Sequence, residues 1–173
     1  MRTATVPTAT PAKPAVALRA APVTADLVAV RRIVESTGFF RADEVAIAVE
    51  LVEERLQRGL AASGYHFVLA DRGGATVGYA CYGPIPCTLT SWDLYWIAVD
   101  RACHGEGLGR LLLEAAERDI RAQGGKAVYI ETSDKPQYEA TRRFYAACGY
   151  RLEHVFADFY APGDGKAVYS KRV

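Results

Sequence analysis

Read for the spacing of its apolar positions, the chain switches between two periods. Leu27, Val30 and Val34 recur at intervals of three and four, and Gly38 follows where such a helix would stop. Thr24 stands where an N-cap belongs, and Asp26 lies in the first turn, where a carboxylate suits the positive end of the helix dipole. A short apolar stretch over 15–20 precedes this helix and reads as a first strand. From about Ala42, the positions Val45, Val49, Val52 and Leu56 mark one face of a second helix that ends at Gly59. Residues 65–71 and 75–83 then carry aromatic and β-branched side chains around an Arg72-Gly73-Gly74 turn, which predicts an antiparallel hairpin. Pro84 and Pro86 end it, and 92–99 reads as a further strand.

That strand runs into a glycine-rich loop, after which Leu108, Leu111, Leu112 and Ala115 form the stripe of a helix closed by Gly124 and Gly125. Residues 126–132 return as a strand. Strand, helix, strand in this order predicts a parallel pair with a right-handed crossover. A last helix over about 138–148 is expected to bury Ala140, Phe144, Ala147 and Cys148 before Gly149 stops it. Two closing strands, 150–160 and 166–172, flank an Ala-Pro-Gly-Asp-Gly turn. The pattern predicts a mixed α/β sheet with no internal repeat.

Composition narrows the picture. The 173 residues fit one domain with a tail, and 50% hydrophobic against 24% charged residues is ordinary for a globular chain. Lys and Arg number 21 against 20 Asp and Glu, so a net charge of +1 offers no global field for nucleic acid or anionic lipid. No apolar run approaches the roughly 18 residues of a membrane span. Residues 1–14 carry Pro7, Pro11 and Pro14 without the apolar core of a secretory signal and read as a flexible extension, leaving 15–173 as the domain. Cys81, Cys87, Cys103 and Cys148 form no C-x-x-C pair, so no metal is expected and reduced thiols in a cytoplasm are.

The loop carries the first candidate chemistry. A strand feeding a glycine-rich turn at a helix start exposes unpaired backbone N–H groups beside the positive end of the dipole, a pocket for phosphate. In His104-Gly105-Glu106-Gly107-Leu108-Gly109, the glycines free the backbone for close approach and Arg110 adds a charge at the mouth. Arg110 and Leu111 stand where a Walker A loop has Lys and Ser or Thr, and glycines at 105, 107 and 109 do not fit G-x-G-x-x-G.

These residues resemble the GNAT superfamily of acetyl-CoA-dependent N-acetyltransferases, whose motif is Gln/Arg-x-x-Gly-x-Gly/Ala between a strand and a helix. Downstream, Arg143-Phe144-Tyr145-Ala146-Ala147-Cys148-Gly149-Tyr150 is similar to the family's second signature. The resemblance covers about 15–173. It implies a single-domain α/β fold with about seven strands, splayed at the cofactor site and flanked by about four helices. It also implies acetyl-CoA as co-substrate, with backbone groups of Ile97, Ala98 and Val99 pairing with pantetheine. Residues His104, Gly105, Glu106, Gly107, Leu108, Gly109 and Arg110 would then hold the pyrophosphate. His104 stands where Gln or Arg is usual, and Tyr138 where many relatives have a cofactor-contacting Asn. A homodimer is compatible with the family.

The same resemblance makes Tyr145 the acid for the departing thiolate, since a phenol of reference pKa about 10 keeps its proton at neutral pH. Asp93, eleven residues before His104, falls where relatives with a carboxylate base commonly carry Glu. By strand alternation Asp93, Tyr95, Ile97 and Val99 share a face, and the Val99 N–H is a candidate for polarising the thioester carbonyl. His66 or a water is an alternative base; Cys103 or Cys148 would be a thiol nucleophile only with a histidine in reach. Trp92, Trp96 and Tyr82 are candidates for an acceptor pocket, and Asp158, Tyr160 and Asp164 for contacts from the last hairpin. The expected activity is acetyl transfer to a primary amine of a small molecule or peptide. A non-catalytic acyl-CoA-binding module and transfer of a longer acyl group are the alternatives.

Overall fold

The computed structural model describes residues 14–173, so the extension expected over 1–14 lies, apart from Pro14, outside the described residues. In chain order the elements are β1 (Val16–Arg19), α1 (Ala25–Thr37), α2 (Ala42–Ser63), β2 (His66–Arg72), β3 (Ala75–Pro84), β4 (Ser91–Val99), α3 (Leu108–Ala122), β5 (Ala127–Ser133), α4 (Glu139–Ala147), β6 (Arg151–Ala161) and β7 (Asp164–Arg172). Short 3₁₀ turns at Arg101–Cys103 and Pro136–Tyr138 precede α3 and α4. The strands form one seven-stranded sheet in the order β1-β2-β3-β4-β5-β7-β6. Every neighbouring pair is antiparallel except β4 and β5, joined by the expected crossover through α3.

Each face of the sheet has its own core. Val68, Ala70, Ala80, Tyr82, Trp92 and Leu94 turn to α3 and meet Leu112, Leu113, Ala116 and Ile120. On the opposite face Phe67, Leu69, Tyr79, Cys81 and Ala98 meet Val30, Ile33 and Val34 of α1 and Val45, Ala48 and Val52 of α2. Trp92 and Tyr82, expected near an acceptor, therefore belong to the α3-side core.

Local details depart from the sequence pattern for identifiable reasons. Thr24 has helical backbone angles and its side chain makes no capping bond. The Asp26 carboxylate does the work from inside the turn, accepting from the Val23 N–H at 2.7 Å. It also accepts two bonds from Arg19, which reaches Asp71 of β2 at 2.7 Å, so one guanidinium ties β1, α1 and β2 together. The second helix does not end at Gly59: the chain kinks there (φ 73°, ψ 175°), resumes to Ser63 and stops at Gly64, whose left-handed φ of 70° lets its N–H return to the Leu60 carbonyl. In α4 the buried residue is Tyr145, while Ala140 and Ala147 are exposed. The inward face runs through positions 141, 144, 145 and 148, because the phenol rather than the small residues fills the space against Tyr150 and Tyr169.

Candidate active site

The site begins where the sheet stops being a sheet. β4 and β5 pair in register from Ser91↔Ala127 to Leu94↔Ile130 and no further, although β4 runs on to Val99 and β5 to Ser133. β5 stays paired with β7 through Ser133↔Lys166, so past Leu94 one side of β4 faces a gap. The Asp100 N–H donates to Val77 on the β3 side at 2.8 Å. Backbone groups alternate sides along a strand, so the N–H groups of Ile97 and Val99 point into the gap.

Beyond β4, the turn into the loop is pinned to α1. Asp100 pairs with Arg32 and caps the 3₁₀ turn by accepting from Ala102, and the Arg101 N–H donates to Ser36 Oγ at 3.1 Å. The loop then depends on Gly105 and Gly107, both left-handed at φ 78° and 81°, to turn the chain into α3. No side chain caps α3, and the N–H groups of Gly107, Leu108, Gly109 and Arg110 have no acceptor among the described residues. These donors sit at the positive end of a 15-residue helix, a geometry suited to an anion.

The other residues expected at this loop take varied places. His104 Nε2 lies 2.9 Å from the Val99 carbonyl oxygen, so the imidazole already occupies one backbone group of the β4 edge. Glu106 pairs with Arg72 at the end of β2 at 2.7 Å, and Arg72 also donates to Cys103 Sγ. Gly109 lies beside the Phe144 ring, where a Cβ would make ordinary van der Waals contact. Arg110 donates to the Ala147 carbonyl at 3.1 Å, tethering the start of α3 to the end of α4. Tyr138 leans on the α1–α2 connection, its ring 5.9 Å from that of Phe39.

Tyr145 is 5% exposed and packs against the rings of Phe144, Tyr150 and Tyr169. Its hydroxyl makes no hydrogen bond to another described residue, and burial pushes its pKa well above the usual phenol value. Asp93 is half-buried and likewise makes no hydrogen bond or ion pair with a described residue. Burial pushes its pKa up; Glu131 adds to the rise and Lys166 opposes it.

The face assignment of β4 needs correction. The register jumps from Tyr82↔Leu94 to Cys81↔Trp96, so Tyr95 is the extra residue of a β-bulge. Asp93 opposes Gly83 and shares the α1/α2 face with Tyr95 and Trp96, whereas Ile97 and Val99 join the α3-side core. Simple alternation fails because the bulge shifts it by one residue.

Several alternatives are not brought together with Asp93. His66 lies on the α3 side, against Tyr82, Trp92 and Asp119, and burial lowers its pKa despite the nearby Asp119 carboxylate. Cys103 is held by Arg72, and Cys148 has no histidine partner in the hydrogen-bond network. Asp158 braces the last turn by accepting from the Gly163 N–H, and Asp164 is buried on Ser133 and Lys135. Tyr160 is the member of this hairpin set near Glu131, Glu44 and Tyr138. Sequence reasoning missed Arg72, the Tyr95 bulge and the Lys166–Glu131 pair at 3.0 Å. None of these left a sequence signal, since each depends on residues brought together by the fold. Among the described residues no group of three or more His, Cys, Asp or Glu side chains is placed to hold a metal ion.

The fold and this divergence define an acyltransferase architecture, and comparison with known proteins agrees. The family model described as the acetyltransferase (GNAT) family matches residues 33–150. A Desulfovibrio desulfuricans protein assigned to the GNAT family of acetyltransferases is 47% identical, with a TM-score of 0.89 over 91% of this chain and 99% of its own. The chain belongs to the GNAT acetyltransferase family. More distant structures share the fold. The ribosomal-protein-S18-alanine N-acetyltransferase of Escherichia coli is 18% identical (TM-score 0.72, covering 92% of this chain and 94% of that one). An aminoglycoside 6'-N-acetyltransferase complexed with coenzyme A is 16% identical (TM-score 0.71, covering 91% and 96%). No curated protein matches the sequence.

Proposed function

We propose that the protein transfers an acetyl group from acetyl-CoA to a primary amine by direct attack within a ternary complex. The observation that carries this reading is the divergence of β4 from β5 after Leu94 beside the free amides at the start of α3. A strand edge with unmatched N–H groups suits the amides of a pantetheine arm, and the helix start suits its pyrophosphate. Ile97 and Val99 supply the edge; Gly107, Leu108, Gly109 and Arg110 supply the phosphate donors, with His104, Gly105 and Glu106 shaping the turn. Ala98 holds the strand to β3, and Tyr138 closes the acceptor side.

In this mechanism the amine nitrogen attacks the thioester carbon, the C–N bond forms and the C–S bond breaks. Asp93 takes the proton lost by the amine, directly or through a water. Tyr145 gives its proton to the CoA sulfur. Burial raises the phenol pKa, but a thiolate released into the same apolar cleft is made more basic for the same reason, so donor and acceptor remain matched. A Val99 N–H not taken by the cofactor would polarise the carbonyl oxygen. The test is CoA release with a panel of primary amines. The Tyr145→Phe variant is expected to lose about 10²-fold or more in kcat with little change in KM for acetyl-CoA. Equal kcat in variant and wild type would remove Tyr145 from the chemistry.

A further inference from the structure

A second feature of the α1/α2 face bears on the acceptor. Asp93 stands opposite Gly83, and a Cβ on Gly83 would lie 3.0 and 3.1 Å from the ring and hydroxyl of Tyr95. The bulge therefore lays the Tyr95 ring across Gly83, one cross-strand step from the Asp93 carboxylate. Carboxylate and aromatic ring side by side are what a primary ammonium recognises. Tyr95 meets Tyr65 edge-on, with ring centroids 5.6 Å apart at 89°, and both rings continue into a cleft of about 490 Å³ between the end of α2 and the β3–β4 connection. Tyr65, Tyr95, Pro84, Ile85 and Pro86 line it together with Ser63 and Thr88, a mixed surface in which no lining residue carries a carboxylate, ammonium or guanidinium group. Its outer wall is held in shape by bonds from Ile85 N–H to the Ser91 carbonyl (2.9 Å) and from Thr88 to Ile85.

Charges lie in the other direction, toward β7 and the α1–α2 connection, and most are matched, Asp134 being held by the Gly165 N–H rather than by a cation among the described residues. Glu131 pairs with Lys166, Asp164 with Lys135, and Glu44 with Arg41. A second cationic group on an acceptor seated in the cleft would meet no carboxylate there. Asp93 forms no such pair among the described residues and can serve one ammonium.

From this we infer that the acceptor is a primary monoamine with an uncharged aromatic or branched apolar body, its nitrogen at Asp93 and its body in the cleft beyond Tyr95. Tyr95 is then the residue that sets specificity. This inference rests on the acetyl-transfer reading above, and the experiment separates the two.

With acetyl-CoA saturating, kcat/KM is measured for ethylamine, 2-phenylethylamine and spermidine. 2-Phenylethylamine is expected to exceed both others by about tenfold or more, the discrimination expected when the phenyl group packs on the Tyr65, Tyr95 and proline side of an uncharged cleft. In Tyr95→Ala, and in Ala62→Trp, which fills the cleft from an exposed helix position, the ratio of 2-phenylethylamine to ethylamine is expected to fall toward one. Equal kcat/KM for all three amines, a preference for spermidine, or an unaltered ratio in both variants overturns the inference while acetyl transfer stands. Release of CoA at background with every amine overturns the acetyl-transfer reading, and the inference with it.

Discussion

Asp93 and Tyr145 share one property: neither polar group has a hydrogen-bond or ion-pair partner among the described residues, and each is pushed toward its neutral form by burial. For a base this has a consequence in pH. A carboxylate whose pKa lies above its ordinary value is protonated, and so unable to accept the amine's proton, at pH values where an exposed Asp is still ionised. The acid limb of kcat is therefore expected to fall off above pH 4, the reference region of an aspartate. Asp93→Asn is expected to lower kcat by about 10²-fold and to flatten that limb. A limb unchanged in the variant would assign it to another group. The sequence nominates both candidates through the family resemblance, Tyr145 by its motif and Asp93 by its interval before the loop. It does not show the side of the strand on which Asp93 stands. Alternation is a rule about regular strands, and one extra residue at Tyr95 reverses it without any mark in residue type.

Among the elements, the glycine loop is the least self-supporting. It contains two left-handed glycines and an uncapped helix start, and its chain is steadied by His104 on Val99 and Glu106 on Arg72. Arg72 is a positioning residue: it fixes the loop and need not touch the thioester. Arg72→Ala is expected to raise KM for acetyl-CoA about tenfold while kcat changes less than about twofold, with partial rescue by Arg72→Lys. A parallel loss in kcat would contradict that role. At the other end of the sheet, Asp26 is 1% exposed and joins Arg19, Thr76 and the Val23 N–H. Asp26→Asn leaves Arg19 inadequately compensated and is expected to cost about 3 kcal/mol in denaturant unfolding. A loss within about 0.5 kcal/mol would show that Asp71 alone suffices.

The elements themselves were legible because apolar periods and glycine stops are local signals: β2, β3, β4 and β5 begin and end within a residue or two of the pattern. Less legible was what depends on partners. The face of α4 could not be read because nine residues hold little more than two turns, and the sheet rather than the helix decides which side is buried. Neither could the pairing of Arg72 with Glu106, which joins residues 34 positions apart (106 minus 72).

For the whole molecule, the proposed reading lets a nearly balanced charge of +1 coexist with an anion held at the start of α3, because backbone amides there need no excess of cationic side chains. The central claim is direct transfer of acetyl from CoA sulfur to amine nitrogen in this cleft. Its most direct test is a single turnover with ¹³C-acetyl-CoA and 2-phenylethylamine, followed by mass analysis of both amine and protein. The account predicts the label on the amine as an amide, equimolar with released CoA, and none on the protein. Label retained on the protein, or CoA released with no labelled amide, would contradict it.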